Sequence, residues 1–223
     1  MFLPESLEFL AENHFRGSKA WFGEHKEEYR KYVLDPLVEL SNDLAPAVEK
    51  IDSQLITAAK SSVSRIYRDM RFSKSGSPYR DMMWISFRRD KQSFPCWPEF
   101  YVVVSPQEFF YGCGHYCAKS ETMTELRKLV ASGHKTFENA RQILQNKKDL
   151  VLEGDVYKKS RYPDYSEVLR NWLDRKTVCF SYHPEMEELF SCNLAEKISK
   201  AFIEMKPLYD LLILAEEKAI NNI

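Results

Sequence analysis

Residues 61–88 read Ser-Ser-Val-Ser-Arg65-Ile-Tyr-Arg68-Asp69-Met-Arg71-Phe-Ser73-Lys74-Ser-Gly-Ser-Pro-Tyr79-Arg80-Asp-Met-Met-Trp-Ile-Ser-Phe-Arg88. Here the hydrophobic spacing stops being helical. The residues of 61–72 and 82–88 suit extended chain better than helix, and alternation then sorts side chains between two faces. Arg65, Tyr67, Asp69 and Arg71 fall on one face, and Ile66, Arg68, Met70 and Phe72 on the other.

Upstream, the period is helical. Residues 5–15 carry Leu7, Leu10 and Ala11 on one stripe after Pro4, Gly17 ends that helix, and Ser18 is placed to cap the next. The second helix sets Trp21, Phe22, His25, Tyr29, Tyr32 and Val33 against a charged opposite face, and Pro36 opens a third through Leu37, Leu40 and Leu44.

Downstream, 100–105, 109–111, 150–152 and 178–182 read as further strands. Between them lie a helix from Ser120, with Thr122 and Glu125 in capping-box spacing, a helix burying Phe137, Ala140, Ile143 and Leu144, and a helical turn over 165–173. One long helix from Met186 to Met205, followed by a turn or two after Pro207, closes the chain. Helices at both ends around grouped strands imply an α+β fold. The expected form is a single domain over residues 1–223, with a central, mostly antiparallel sheet covered by the N- and C-terminal helices.

The chain has 223 residues, 44% of them hydrophobic and only seven glycine, which excludes a collagen-like or low-complexity protein. Its 32 basic and 33 acidic side chains nearly cancel, excluding a generally basic nucleic-acid coat. The balance is uneven, however. Residues 65–91 hold eight bases against three acids, net +5, which leaves 24 bases and 30 acids, net −6, elsewhere. No apolar run reaches the roughly 18 residues of a membrane span, and Met1-Phe2-Leu3-Pro4-Glu5 does not resemble a signal peptide. A cytoplasmic protein with five free thiols is the expectation.

The basic stretch supplies the chemistry. Arginine forks suit the paired oxygens of phosphate or carboxylate. Ser73, Lys74 and the turn after them add hydroxyls, an ammonium and backbone N–H groups, without P-loop spacing. The expected ligand set is Arg65, Arg68, Asp69, Arg71, Ser73, Lys74, Tyr79 and Arg80, with Trp21 and His25 as a pocket wall should their helix cover the strand. The expected partner is a small anionic ligand, with enzymatic turnover left open. Two alternatives use the same residues: a nucleic-acid-associated module stacking bases on Trp84, Phe94 or Trp97, and an interaction domain whose Arg/Asp motif is purely structural.

The run Arg65-x-x-Arg68-Asp69-x-Arg71-Phe72-Ser73-Lys74, followed by Pro78-Tyr79, resembles the signature of the family catalogued as domain of unknown function 2461. The resemblance extends to Trp21-Phe22, Tyr29, Pro36, Gly112-x-Gly114-x-Tyr116 and Arg127. It departs at Arg80, where lysine is more usual, at 14–19 and around 158–163. It implies a mixed α and β fold and no mechanism.

Other constellations are weaker. Cys113, His115 and Cys117 offer three metal donors where a structural zinc wants four, so no metal or cofactor is expected. Cys179 and His183 fall on one strand face with no third orienting group. Lys158, Lys159 and Arg161 form a short basic run that could add a second anion contact.

Overall fold

The structure is a computed structural model and describes residues 1–69, 71 and 76–221. It is an α+β fold. The chain begins with α1 (Pro4–Arg16), α2 (Lys19–Glu24), α3 (Lys26–Tyr29), a π-helical turn (Arg30–Leu34), α4 (Asp35–Ile51) and α5 (Ala59–Ser62). Three strands follow: β1 (Met83–Phe87), β2 (Glu99–Val104) and β3 (Phe109–Gly114). Then come α6 (Ser120–Ala131), α7 (Lys135–Asn146), β4 (Leu150–Glu153), α8 (Glu167–Leu173) and β5 (Cys179–Tyr182). A 3₁₀ turn (Met186–Phe190), α9 (Leu194–Glu204) and α10 (Lys206–Asn221) complete it. The strands form an antiparallel sheet in the order β1-β2-β3-β5-β4, and β4 and β5 register Leu152 opposite Phe180. No helix among the described residues is long and apolar enough to cross a membrane.

Local chemistry explains the ends of the elements. Gly17 caps α1 in the left-handed region at φ 57°, its N–H reaching the Asn13 carbonyl, and Ser18 Oγ accepts from Trp21 N to start α2. The expected continuous helix over Trp21–Val33 is instead broken at His25 and passes through the π turn. This lets the chain run straight into α4, where Leu37, Leu40, Leu44 and Val48 are buried at helical spacing. The expected long helix from Met186 to Met205 is also corrected. Its first part is a 3₁₀ turn, and the chain breaks between α9 and α10, where Pro207 stands in the first turn and lacks the N–H that continuation would need. What was expected as a turn or two is the 16-residue helix α10.

The described residues fall into two compact units, each assembled from three segments. One comprises Met1–Phe87, Tyr101–Tyr111 and His183–Lys200, with a core of Phe9, Leu10, Phe22, Leu37, Leu44 and Ile85. The other comprises Arg88–Phe100, Gly112–Tyr182 and Ala201 onward, with α10 packed along α6 and α7 and rings closing around Phe100, Phe137, Trp172 and Phe202.

The capping box expected at Thr122 and Glu125 is not formed. Thr122 is buried, and its hydroxyl donates to Glu216 Oε2 at 2.9 Å, while Glu125 pairs with Lys128. Glu216 Oε1 in turn accepts from His115 Nε2 at 2.8 Å. A buried carboxylate needs these donors more than a helix end needs a cap, because the helix end still reaches water.

Candidate functional site

Residues 63–68 pair with 78–85 only at isolated points. Val63 bridges Ile85 and Tyr67 bridges Tyr79, both antiparallel, with Arg68 N donating to the Pro78 carbonyl and Arg80 N to that of Ile66. Two local causes interrupt the ladder. Pro78 has no N–H, and Ser64 Oγ takes the Trp84 N–H that a backbone carbonyl would otherwise accept. Of the strand expected over 61–72, residues 61–62 end α5 and residues 63–69 form an irregular hairpin arm, while 70 and 72 lie outside the described residues. Its alternation survives: Ile66 is buried, whereas Arg65, Tyr67, Asp69 and Arg71 are exposed.

Asp69 and Arg71 form a bidentate pair in the hairpin. Arg71 Nε and Nη2 donate to the two carboxylate oxygens at 3.0 and 2.8 Å, and Arg71 N donates to Oδ1. These bonds pull the Asp69 carboxyl down to about 2, with Arg65 adding a positive charge nearby. The pair stays in solvent, with Arg71 81% and Asp69 45% exposed. Arg68 reaches across the arms to Asp81 at 3.4 Å, and the Arg80 guanidinium lies 4.7 Å over the Trp84 ring. Ser73 and Lys74 lie outside the described residues, as do Met70 and Phe72.

The aromatic helices do reach this hairpin. Phe22 stacks on Tyr79 at 4.8 Å and meets Tyr67 edge-on at 5.7 Å. Tyr79 is 1% exposed, and its carbonyl accepts from His14 Nδ1 at 2.9 Å. Burial and the neighbouring Tyr67 push the Tyr79 phenol up, and the same causes push Tyr29 up to about 12. Trp21 and His25 stack on one another at 4.1 Å, and the His25 Nδ1–H donates to the Trp21 carbonyl. On α1, Asn13 is fully buried, and neither polar atom of its amide has a partner among the described residues. An amide left in that state is costly, at about 1–3 kcal/mol.

A second gathering of cations has no counterpart as a run in the sequence. Tyr157 carries the Arg161 guanidinium 3.8 Å over its ring, with Arg127 at 5.5 Å and Lys176 at 5.8 Å. Arg127 is anchored by the carbonyls of Leu173 and Arg175 and by the Tyr157 hydroxyl. Beside it lies a cleft of about 770 Å³ whose wall includes Tyr157, Val168, Arg170 and Trp172. Arg170 Nε is buried and has no hydrogen-bond partner among the described residues. Of these residues, only Arg161 stood in a basic run. The others come from α6, α8 and the approach to β5.

The remaining constellations separate in space. The Cys179 thiol donates to the His115 carbonyl at 3.4 Å, whereas His183 stacks on Phe110. His115 is committed to Glu216, and no metal-holding cluster of His, Cys, Asp or Glu is found among the described residues.

The family described as conserved hypothetical protein (DUF2461) covers residues 5–211, and the chain belongs to it. A search of curated proteins found no match.

Proposed function

We propose that this protein, acting as one domain, binds a small phosphate- or carboxylate-bearing ligand on the exposed face of the 65–81 hairpin. The observation that carries the reading is a charge surplus on one short element: Arg65, Arg68, Arg71 and Arg80 stand against only Asp69 and Asp81. Asp69 holds the Arg71 fork in a fixed orientation, as a preorganised donor set requires. Tyr67, 54% exposed and packed on Phe22 and Tyr79, offers a ring edge for the body of such a ligand.

A second placement of the same chemistry is favoured by Arg170 alone, whose buried Nε has no hydrogen-bond partner among the described residues and which lines the cleft beside Tyr157 together with Arg141, Glu167 and Asp174. Thermal unfolding separates the two. Millimolar inorganic phosphate should raise the Tm of the native chain and of Arg170→Ala, and should leave Arg65→Ala/Arg71→Ala unmoved. No rise in the native chain defeats the anion reading. A rise lost only in Arg170→Ala moves the site to the cleft, whereas binding to DNA that weakens steeply with salt points to nucleic acid.

A further inference from the structure

Five cysteines are free, and two of them meet. Cys96, in the connection between β1 and β2, and Cys117, just after β3, place their sulfurs 2.8 Å apart although 21 residues separate them. That separation is longer than the ~2.05 Å of a sulfur–sulfur bond, so the two thiols are adjacent but free. The contact is held by its surroundings. Arg89 lies 4.6 Å over the Trp97 ring, Phe94 meets Trp97 edge-on, and Asp90 ties the turn through Ser93 N and Oγ. Cys96 itself sits at φ 66°, a backbone region that a non-glycine residue occupies only when its neighbours impose it.

The other thiols differ. Cys113 is fully buried, Cys179 is engaged by the His115 carbonyl, and Cys192 is exposed without a second sulfur beside it among the described residues. Cys117 is exposed and Cys96 partly so, which a reagent from solvent requires.

We propose that Cys96 and Cys117 form an oxidisable dithiol whose co-substrate is a hydroperoxide. The contact with Cys96, and then burial, push the Cys117 thiol up to about 11, which favours Cys96 as the attacking sulfur. The Glu99 charge adds to that rise at Cys117 and the Lys91 charge opposes it. The Cys96 thiolate attacks the peroxide oxygen. An S–O bond forms, the O–O bond breaks, and the departing oxygen takes a proton and leaves as alcohol or water, giving a sulfenic acid. Cys117 then loses its proton and attacks Cys96 Sγ. The S–S bond forms, the S–O bond breaks and water departs. Two thiols and one hydroperoxide become one disulfide, one alcohol and one water, with two electrons passing from sulfur to oxygen.

The test is oxidation of the reduced full chain with equimolar hydrogen peroxide, read by intact mass and non-reducing peptide mapping. The expected product is lighter by about 2 Da, carries one crosslink joining Cys96 to Cys117, and titrates three thiols where the reduced chain titrates five. Cys117→Ser should stop at a Cys96 sulfenic acid that dimedone traps, and Cys96→Ser should leave Cys117 unmodified. Retention of all five thiols, a crosslink between another pair, or a sulfenic acid on Cys117 overturns the proposal, and the native chain alone decides the first two.

Discussion

The hairpin of residues 65–81 and the cations around Tyr157 reach positive charge by opposite routes. In the hairpin, arginines adjacent in sequence are matched locally: Arg71 with Asp69 two residues away, Arg68 with Asp81 across the arms. Around Tyr157, arginines and a lysine distant in sequence converge on one ring, and Arg127 spends its donors on backbone carbonyls. Charge density along the chain therefore marks where cations are numerous. Spatial convergence marks where cations from distant segments share one neighbour, as Arg127, Arg161 and Lys176 share the Tyr157 ring.

A purely structural cluster provides the scale for both. Glu216→Ala strands buried His115 and Thr122, and denaturant unfolding should show a loss of about 3–5 kcal/mol from the network they form. A loss below 1 kcal/mol would mean that this network is not holding α6 to α10. Arg127→Ala removes three bonds and should lower stability by about 1–3 kcal/mol, because its carbonyl partners lie inside the fold. An unchanged stability would recast the Tyr157 cluster as a surface decoration.

Asn13→Leu runs the other way. Because neither polar atom of the buried amide has a partner among the described residues, the substitution should raise stability by about 1–3 kcal/mol. Lowered stability would show instead that the amide is satisfied in solution.

The smallest effect is on Asp69. Its carboxyl is depressed below the usual value near 3.9, so the pair with Arg71 is fully formed above that value and is lost as pH falls through about 2. The Asp69 carboxyl carbon signal should titrate near that lower value, and Asp69→Asn should hardly change the Tm, since the pair is exposed. A midpoint near 4 would contradict the pairing.

Much of this was legible in the sequence. The alternation of Arg65, Ile66 and Tyr67, the five strands from 83 to 182, and the Gly17 and Ser18 boundary follow from spacing and residue type, whereas Phe22, not the expected Trp21 and His25, carries the contact of the aromatic helix with the hairpin. The rest was illegible for physical reasons. Thr122 and Glu125 have capping-box spacing, but only the fold discloses that α10 brings Glu216 to Thr122. The break between α9 and α10 competes with a continuous apolar stripe from Leu194 to Leu208, so periodicity alone runs through it. The Tyr157 cluster and the Cys96–Cys117 contact join residues far apart in the chain, and no local pattern records such meetings.

The most direct test is a phosphate titration of isotope-labelled protein followed by amide chemical shifts. Signals of residues 65–69 and 76–81 should move along one saturable curve while those of 156–174 stay fixed. Movement confined to 156–174, or no movement at millimolar phosphate, would contradict the hairpin as the ligand site.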